Sequence, residues 1–169
     1  MKNLKLILSV LLLVLTSCGY QFEGGGYLNS DVTHVAVGMM DNKSSATGAG
    51  VVFTNALIKE IMEKTDTKLV DDTTMAVAVL KGSINSITFA TLSRSTTENV
   101  IERRATSNID MQLVDKDEQI IWSVKNFTSK EDYKVSEDKV TDESNKRAAL
   151  DKIALRTAEK LISRMMNNF

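Results

Sequence analysis

The chain has 169 residues, a net charge of −1, one cysteine, one histidine and no proline. A near-neutral balance lacks the basic footprint that nucleic-acid binding needs. A single cysteine with a single histidine supplies neither a disulfide framework nor a thiolate metal site, and without proline the turns depend on Gly, Asn, Asp, Ser and Thr.

Lys2 and Lys5 precede an apolar run from Leu6 to Leu15, broken only by Ser9, and the run ends in Thr16-Ser17-Cys18. A cationic start, a short apolar segment and a small residue before the cut read as a secretory signal. The run is about half the ~20 apolar residues a membrane-spanning helix requires, so a buried cysteine behind a transmembrane helix is rejected. A cysteine at this place marks the lipoprotein form of the signal, because thioether formation needs a sulfur nucleophile. Acyl chains on it anchor the protein, each buried methylene contributing roughly 0.8 kcal/mol. Residues 1–17 are therefore expected to be the signal peptide and Cys18 the lipid-attachment residue. Residues 18–31, with Tyr20, Phe22 and Tyr27 among glycines, read as a tether or a first edge strand, and residues 32–169 as one α/β periplasmic domain. Gly19 stands where an acidic residue holds many Gram-negative lipoproteins in the inner membrane, so the expected location is the periplasmic side of the outer membrane.

Val32 to Met40 alternates, with Val35, Val37 and Met39 on one face of a strand. Asp41 to Gly50 reads as a polar loop. From Val51 to Lys64, Val52, Phe53, Ala56, Leu57 and Ile61 recur at helical spacing opposite Lys59, Glu60, Glu63 and Lys64. A short strand, Lys68 to Val70, precedes a long one from Met75 to about Thr91. The apolar positions of the long strand are even at Ala76, Ala78, Leu80 and Ile84, then odd at Ile87 and Phe89. Strand faces alternate with period two, so the change of parity predicts a bulge between Ile84 and Ile87. Val100 to Val114 pairs back with Ile101, Ala105, Ile109, Met111 and Leu113 inward, and the polar opposite face is expected to be wet. Gln119 to Lys130 follows the turn Asp115–Glu118, with Ile120, Trp122 and Val124 on one side, and a polar connection holds Tyr133. From about Asp138 a final helix carries the stripe Ala149, Ile153, Ala154, Ala158, Leu161, Ile162 and Met165. The order β-α-β-β-β-β-α predicts an α+β fold, with two helices covering one face of a mainly antiparallel sheet.

Chemistry for catalysis is missing from the pattern. His34 lies mid-strand with no adjacent acid, the Ser/Thr cluster around Ser93 has no base to activate it, and Asp71-Asp72 reads as a solvated turn. The glycines at 24–26 and at 48 and 50 lack the Lys-Ser/Thr context of a phosphate loop. No enzyme activity, cofactor or metal is expected. The long hairpin is the distinctive feature, since its strands run to about fifteen residues against a usual mode of about five or six. Near its tip lie Arg94, Arg103 and Arg104. Arg103 shares the parity of Ile101 and Ala105, and an unpaired buried charge is costly, so this end of the sheet is expected to be uncovered. The bland reading is a solvated loop. The functional one is a Ser/Thr-rich cationic surface for phosphate or anionic sugar, where Arg forks make bidentate contacts.

Cys18-Gly19-Tyr20-Gln21-Phe22, Val35-Ala36-Val37 leading through Asn42 to Thr54-Asn55-Ala56-Leu57, Leu80-Lys81-Gly82-Ser83-Ile84 and Arg147-Ala148-Ala149-Leu150 together resemble the outer-membrane lipopolysaccharide-assembly lipoproteins of the LptE type. The resemblance covers nearly the whole mature chain through the order and spacing of short pieces. It implies a two-layer α/β sandwich with two helices on a four-stranded sheet. It also implies a β-barrel translocon of the LptD type as partner, in which the protein sits as a plug, and lipopolysaccharide as the bound ligand. Val35-Ala36-Val37, Asp41-Asn42 and the Leu80–Ile84 piece are also similar to curli-secretion and synthase-activator lipoproteins, which oligomerise or bind cell-wall enzymes. A channel former needs further membrane-crossing strands, and after Val124 only a polar link and one helix remain.

Overall fold

The computed structural model describes residues 25–29, 31–95 and 99–167, so Cys18 and the signal segment lie outside the described residues. In chain order the elements are β1 (His34–Val37), β2 (Asp41–Asn42), α1 (Ala49–Lys64), β3 (Lys68–Leu69), β4 (Ala78–Arg94), β5 (Val100–Asp115), β6 (Ile120–Lys134) and α2 (Lys139–Asn167). They form a two-layer α/β sandwich. The sheet has six strands rather than four, in the order β3-β1-β4-β5-β6, with β2 beside β4. β1 and β2 run parallel to β4, β1 also runs parallel to β3, and β4-β5-β6 is an antiparallel meander.

The helices cover one face. Phe53, Leu57 and Ile61 of α1 and Ile153, Leu161, Ile162 and Met165 of α2 are under 2% exposed, as are Leu80, Ile84, Ile109 and Leu113 of the sheet. The stripe expected on the last helix is buried throughout, and Thr157 joins it. Asp138 sets the start of α2 by accepting the Thr141 backbone N–H at 2.8 Å, which satisfies one of the first-turn donors. The Thr141 hydroxyl, and then that backbone bond, hold the Asp138 carboxyl below its ordinary pKa.

The bulge inferred from parity is present, with the β4–β5 register slipping between Ile84 and Ser86. Other expectations change. β1 stops at Val37, so Met39 is 65% exposed and Met40 takes the core position. The Met40 N–H is bound by Thr54 Oγ1 at 2.9 Å, and its sulfur fills the space that the missing side chain of Gly82 leaves, where a Cβ would sit 2.5 Å from Sδ. At the start of β6 the register slips between Leu113 and Val114, which turns Ile120 outward to 59% exposure while Trp122 stays buried. β6 also continues to Lys134, and Tyr133 is a buried strand residue instead of part of a polar link. Packing begins earlier than Val32: Leu28 is fully buried and donates its N–H to Thr67 Oγ1 at 2.9 Å.

Gly50 is the tightest point of α1, since a Cβ there would lie 2.6 Å from the Met40 carbonyl oxygen. Alanine would gain about 1 kcal/mol of helix propensity, and overpacking against backbone costs about 1–3 kcal/mol. Gly50→Ala is therefore expected to lower the melting temperature modestly. A variant melting above the wild type would show that the Met40 backbone moves aside freely.

Candidate functional site

The hairpin end is built by β4 and β5, with β6 following β5 as far as Lys134 opposite Glu102. The expectation that this end lies uncovered holds only beyond that level. Asn145 on α2 donates from Nδ2 to the Lys134 carbonyl at 3.0 Å, and Lys146 lies 5.1 Å over the Phe89 ring. Phe89 in turn meets Tyr133 edge to face, with centroids 6.2 Å apart, a geometry aromatic pairs favour. The first turns of α2 thus reach over Arg103, which is half-buried between its strand partners Thr91 and Tyr133. Past it, Leu92 and Ile101 are 42% and 47% exposed.

The three arginines do not converge. Adjacent strand residues face opposite ways, so Arg103 lies on the helix-covered side and Arg104 on the open side. Arg104 is already engaged in a fork with Asp132 across β6: Nε donates to Oδ1 at 2.6 Å and Nη2 to Oδ2 at 2.8 Å. That pairing holds the Asp132 carboxyl below its usual range and raises the Arg104 guanidinium. Arg94 ends β4 opposite Val100, at the tip. The tip is consequently amphiphilic, with Arg94 and Arg103 near exposed Leu92 and Ile101.

The pattern gave no warning of a second charged group. Glu131 faces α2 with its side chain 8% exposed, in contact with Arg156, and with Lys152 Nζ at 3.8 Å. Buried charges persist where they are paired. The available signal was Lys152 and Arg156 four apart on one helix edge, with Glu131 at the inward parity of Tyr133. Around Glu131 the seam is polar: Ser107 and its strand partner Ser129, with Tyr133 and Thr157, bury hydroxyls that have no hydrogen-bond partner among the described residues.

On the uncovered face a shallow depression is lined by Lys81, Ser83, Asp110, Gln112, Ser123 and Lys125. Asp110 accepts the Asn126 N–H at 2.7 Å there, and that bond lowers its pKa. His34 is half-buried with Nδ1 3.1 Å from the Thr33 hydroxyl. Among the described residues, no three His, Cys, Asp or Glu side chains gather as metal ligands, and no helix is long and apolar enough to cross a membrane.

The LptE model, described as lipopolysaccharide-assembly, matches residues 32–165. The chain belongs to the LptE family. No curated protein matches this LptE-family chain in sequence. Solved structures share its fold. Lipoprotein B of Nitrosomonas europaea superimposes with a TM-score of 0.58 at 14% identity, covering 88% of this chain and 90% of its own. Rare lipoprotein B of Shewanella oneidensis gives 0.53 at 14% identity, covering 80% and 95%. A minor lipoprotein of Acinetobacter baumannii gives 0.50 at 10%, covering 81% and 92%.

Proposed function

We propose that this LptE-family protein is a non-enzymatic, lipid-anchored lipoprotein of the outer membrane. It supports or plugs an LptD-type β-barrel translocon and binds lipopolysaccharide for delivery to the cell surface. The observation that carries the reading is the family match across residues 32–165, nearly the whole folded domain. The amphiphilic hairpin tip supports it: lipid A joins phosphates to acyl chains, and Arg94 and Arg103 stand near Leu92 and Ile101, which offer cationic and apolar contacts together.

Co-purification from solubilised outer membranes tests the partnership, and recovery of the lipoprotein without a barrel partner would overturn it. Ligand contact is tested by replacing Arg94, Arg103 and Arg104 together with Ser. Charge-assisted hydrogen bonds contribute about 1.5–3 kcal/mol each, so lipopolysaccharide binding is expected to fall by tenfold or more. Arg104→Ser alone is expected to leave binding nearly unchanged, because that guanidinium is committed to Asp132. Circular dichroism should show the fold retained, with at most a modest fall in melting temperature from the lost Arg104–Asp132 fork and the half-buried Arg103. Binding unchanged in the triple variant would remove the tip from the ligand site.

A further inference from the structure

β4 is longer than its neighbours on one side. β1 pairs with it from Ala78 to Leu80 and β2 only at Ser83 and Ile84. Lys43 donates its N–H to the Ile84 carbonyl at 3.0 Å, and the chain then leaves for α1. From Ser86 onward, no described strand lies along that side of β4. The inward-facing residues of β4 are those whose main-chain groups turn away from β5, as the Leu80 and Ile84 carbonyls show by accepting from Gly38 and Lys43. Beyond the bulge the inward residues are Ile87, Phe89 and Thr91, so by the same alternation their N–H and C=O groups face the open edge.

Proteins guard such edges with lysines, prolines and bulges. The other long edge, β6, is guarded: Lys125, Lys130 and Lys134 are exposed along it, and Asn126 breaks it with φ 54. The β4 edge is not. Asn85-Ser86-Ile87-Thr88-Phe89-Ala90-Thr91-Leu92-Ser93 holds no charge and no proline and is rich in β-branched and aromatic residues, the composition that favours strand addition. Thr88, Ala90, Thr91 and Leu92 are exposed.

We propose that this edge pairs with the same edge of a second copy of the chain, antiparallel about a two-fold axis at Phe89. Within the regular stretch Ser86–Thr91, Phe89 is the middle of the three residues, Ile87, Phe89 and Thr91, whose main-chain groups face the open edge. In this register Phe89 lies opposite Phe89, Ile87 opposite Thr91 and Thr88 opposite Ala90. No like charges meet, and aromatic and β-branched pairs are the favourable kind. Ile87 and Thr91 exchange both hydrogen bonds, as Phe89 does with its copy, joining the two meanders into one sheet. The contact is small, so the dimer is weak and reversible.

Sedimentation equilibrium of the full-length lipoprotein in density-matched detergent tests this. Wild type and Thr91→Val are expected to show a monomer–dimer equilibrium. Thr91→Pro removes the N–H that faces the open edge while sparing the β5 ladder, and is expected to be monomeric with a melting temperature near wild type. A wild type that stays monomeric into the hundred-micromolar range overturns the proposal, as does a Thr91→Pro variant that still dimerises. A monomeric wild type whose Thr91→Pro variant loses the barrel also overturns self-pairing and assigns the edge to the barrel. Barrel co-purification of the wild type is scored separately, so the functional reading above stands or falls on its own result.

Discussion

Leu161→Asp is expected to unfold the domain. Leu161 is fully buried in the stripe of α2 that packs on the sheet. The buried ion pair between α2 and the sheet, Glu131 with Lys152 and Arg156, lies more than a turn away along the helix. The new carboxylate would lose the apolar contacts of leucine, about 2–5 kcal/mol in large-to-small substitutions, and would be buried without a partner. Domains of this size are stable by about 5–15 kcal/mol, so the substitution removes a large share of the total. Thermal or urea denaturation followed by circular dichroism reads the effect. A variant with wild-type melting would mean that α2 is an exposed arm, in conflict with its buried face.

The second large effect concerns Cys18, the residue on which membrane attachment is proposed to rest. Cys18→Ala is expected to abolish thioether formation and leave an unprocessed or misprocessed precursor, because serine-like or alanine side chains lack a sulfur nucleophile. Loss of the acyl chains removes an anchor contributing roughly 0.8 kcal/mol per buried methylene, so the protein should no longer fractionate with the outer membrane. Mass spectrometry of the mature N-terminus is the check. An unmodified cysteine in the wild type, or cleavage elsewhere, would remove the basis of the outer-membrane assignment.

The parts of the fold legible in the sequence are those where one face is apolar and the other wet. The even-to-odd shift along β4 located its bulge, and the spacing from Ala149 to Met165 located the buried face of α2. Periodicity failed where burial is shared by polar groups. Glu131 and Tyr133 face inward on β6, yet Lys130, Asp132 and Lys134 alternate with them, so the strand looked like a solvated link. Met39 and Met40 differ only in backbone course after β1, which the Thr54 hydroxyl and Gly82 determine through contacts remote in sequence. At the hairpin end the arginines were legible as charges. Their separation was not, since the Arg104–Asp132 fork depends on the β5–β6 register, and the reach of α2 over Phe89 depends on tertiary packing.

β1 is the first described strand in the chain, and it cannot be placed until later strands exist. Its partners, β3 and β4, both lie downstream, and both pairings are parallel, whereas β4, β5 and β6 need only their own short turns to assemble. Loop closure must be met before distant contacts reward it, so the meander is expected to form early and β1 to slot in late. If the chain crosses a membrane N-terminus first, as the proposed lipoprotein reading requires, Val35 and Ala36 emerge before Leu69 and Leu80 are there to cover them. The leading segment then waits as an unpaired ribbon until β3 and β4 arrive.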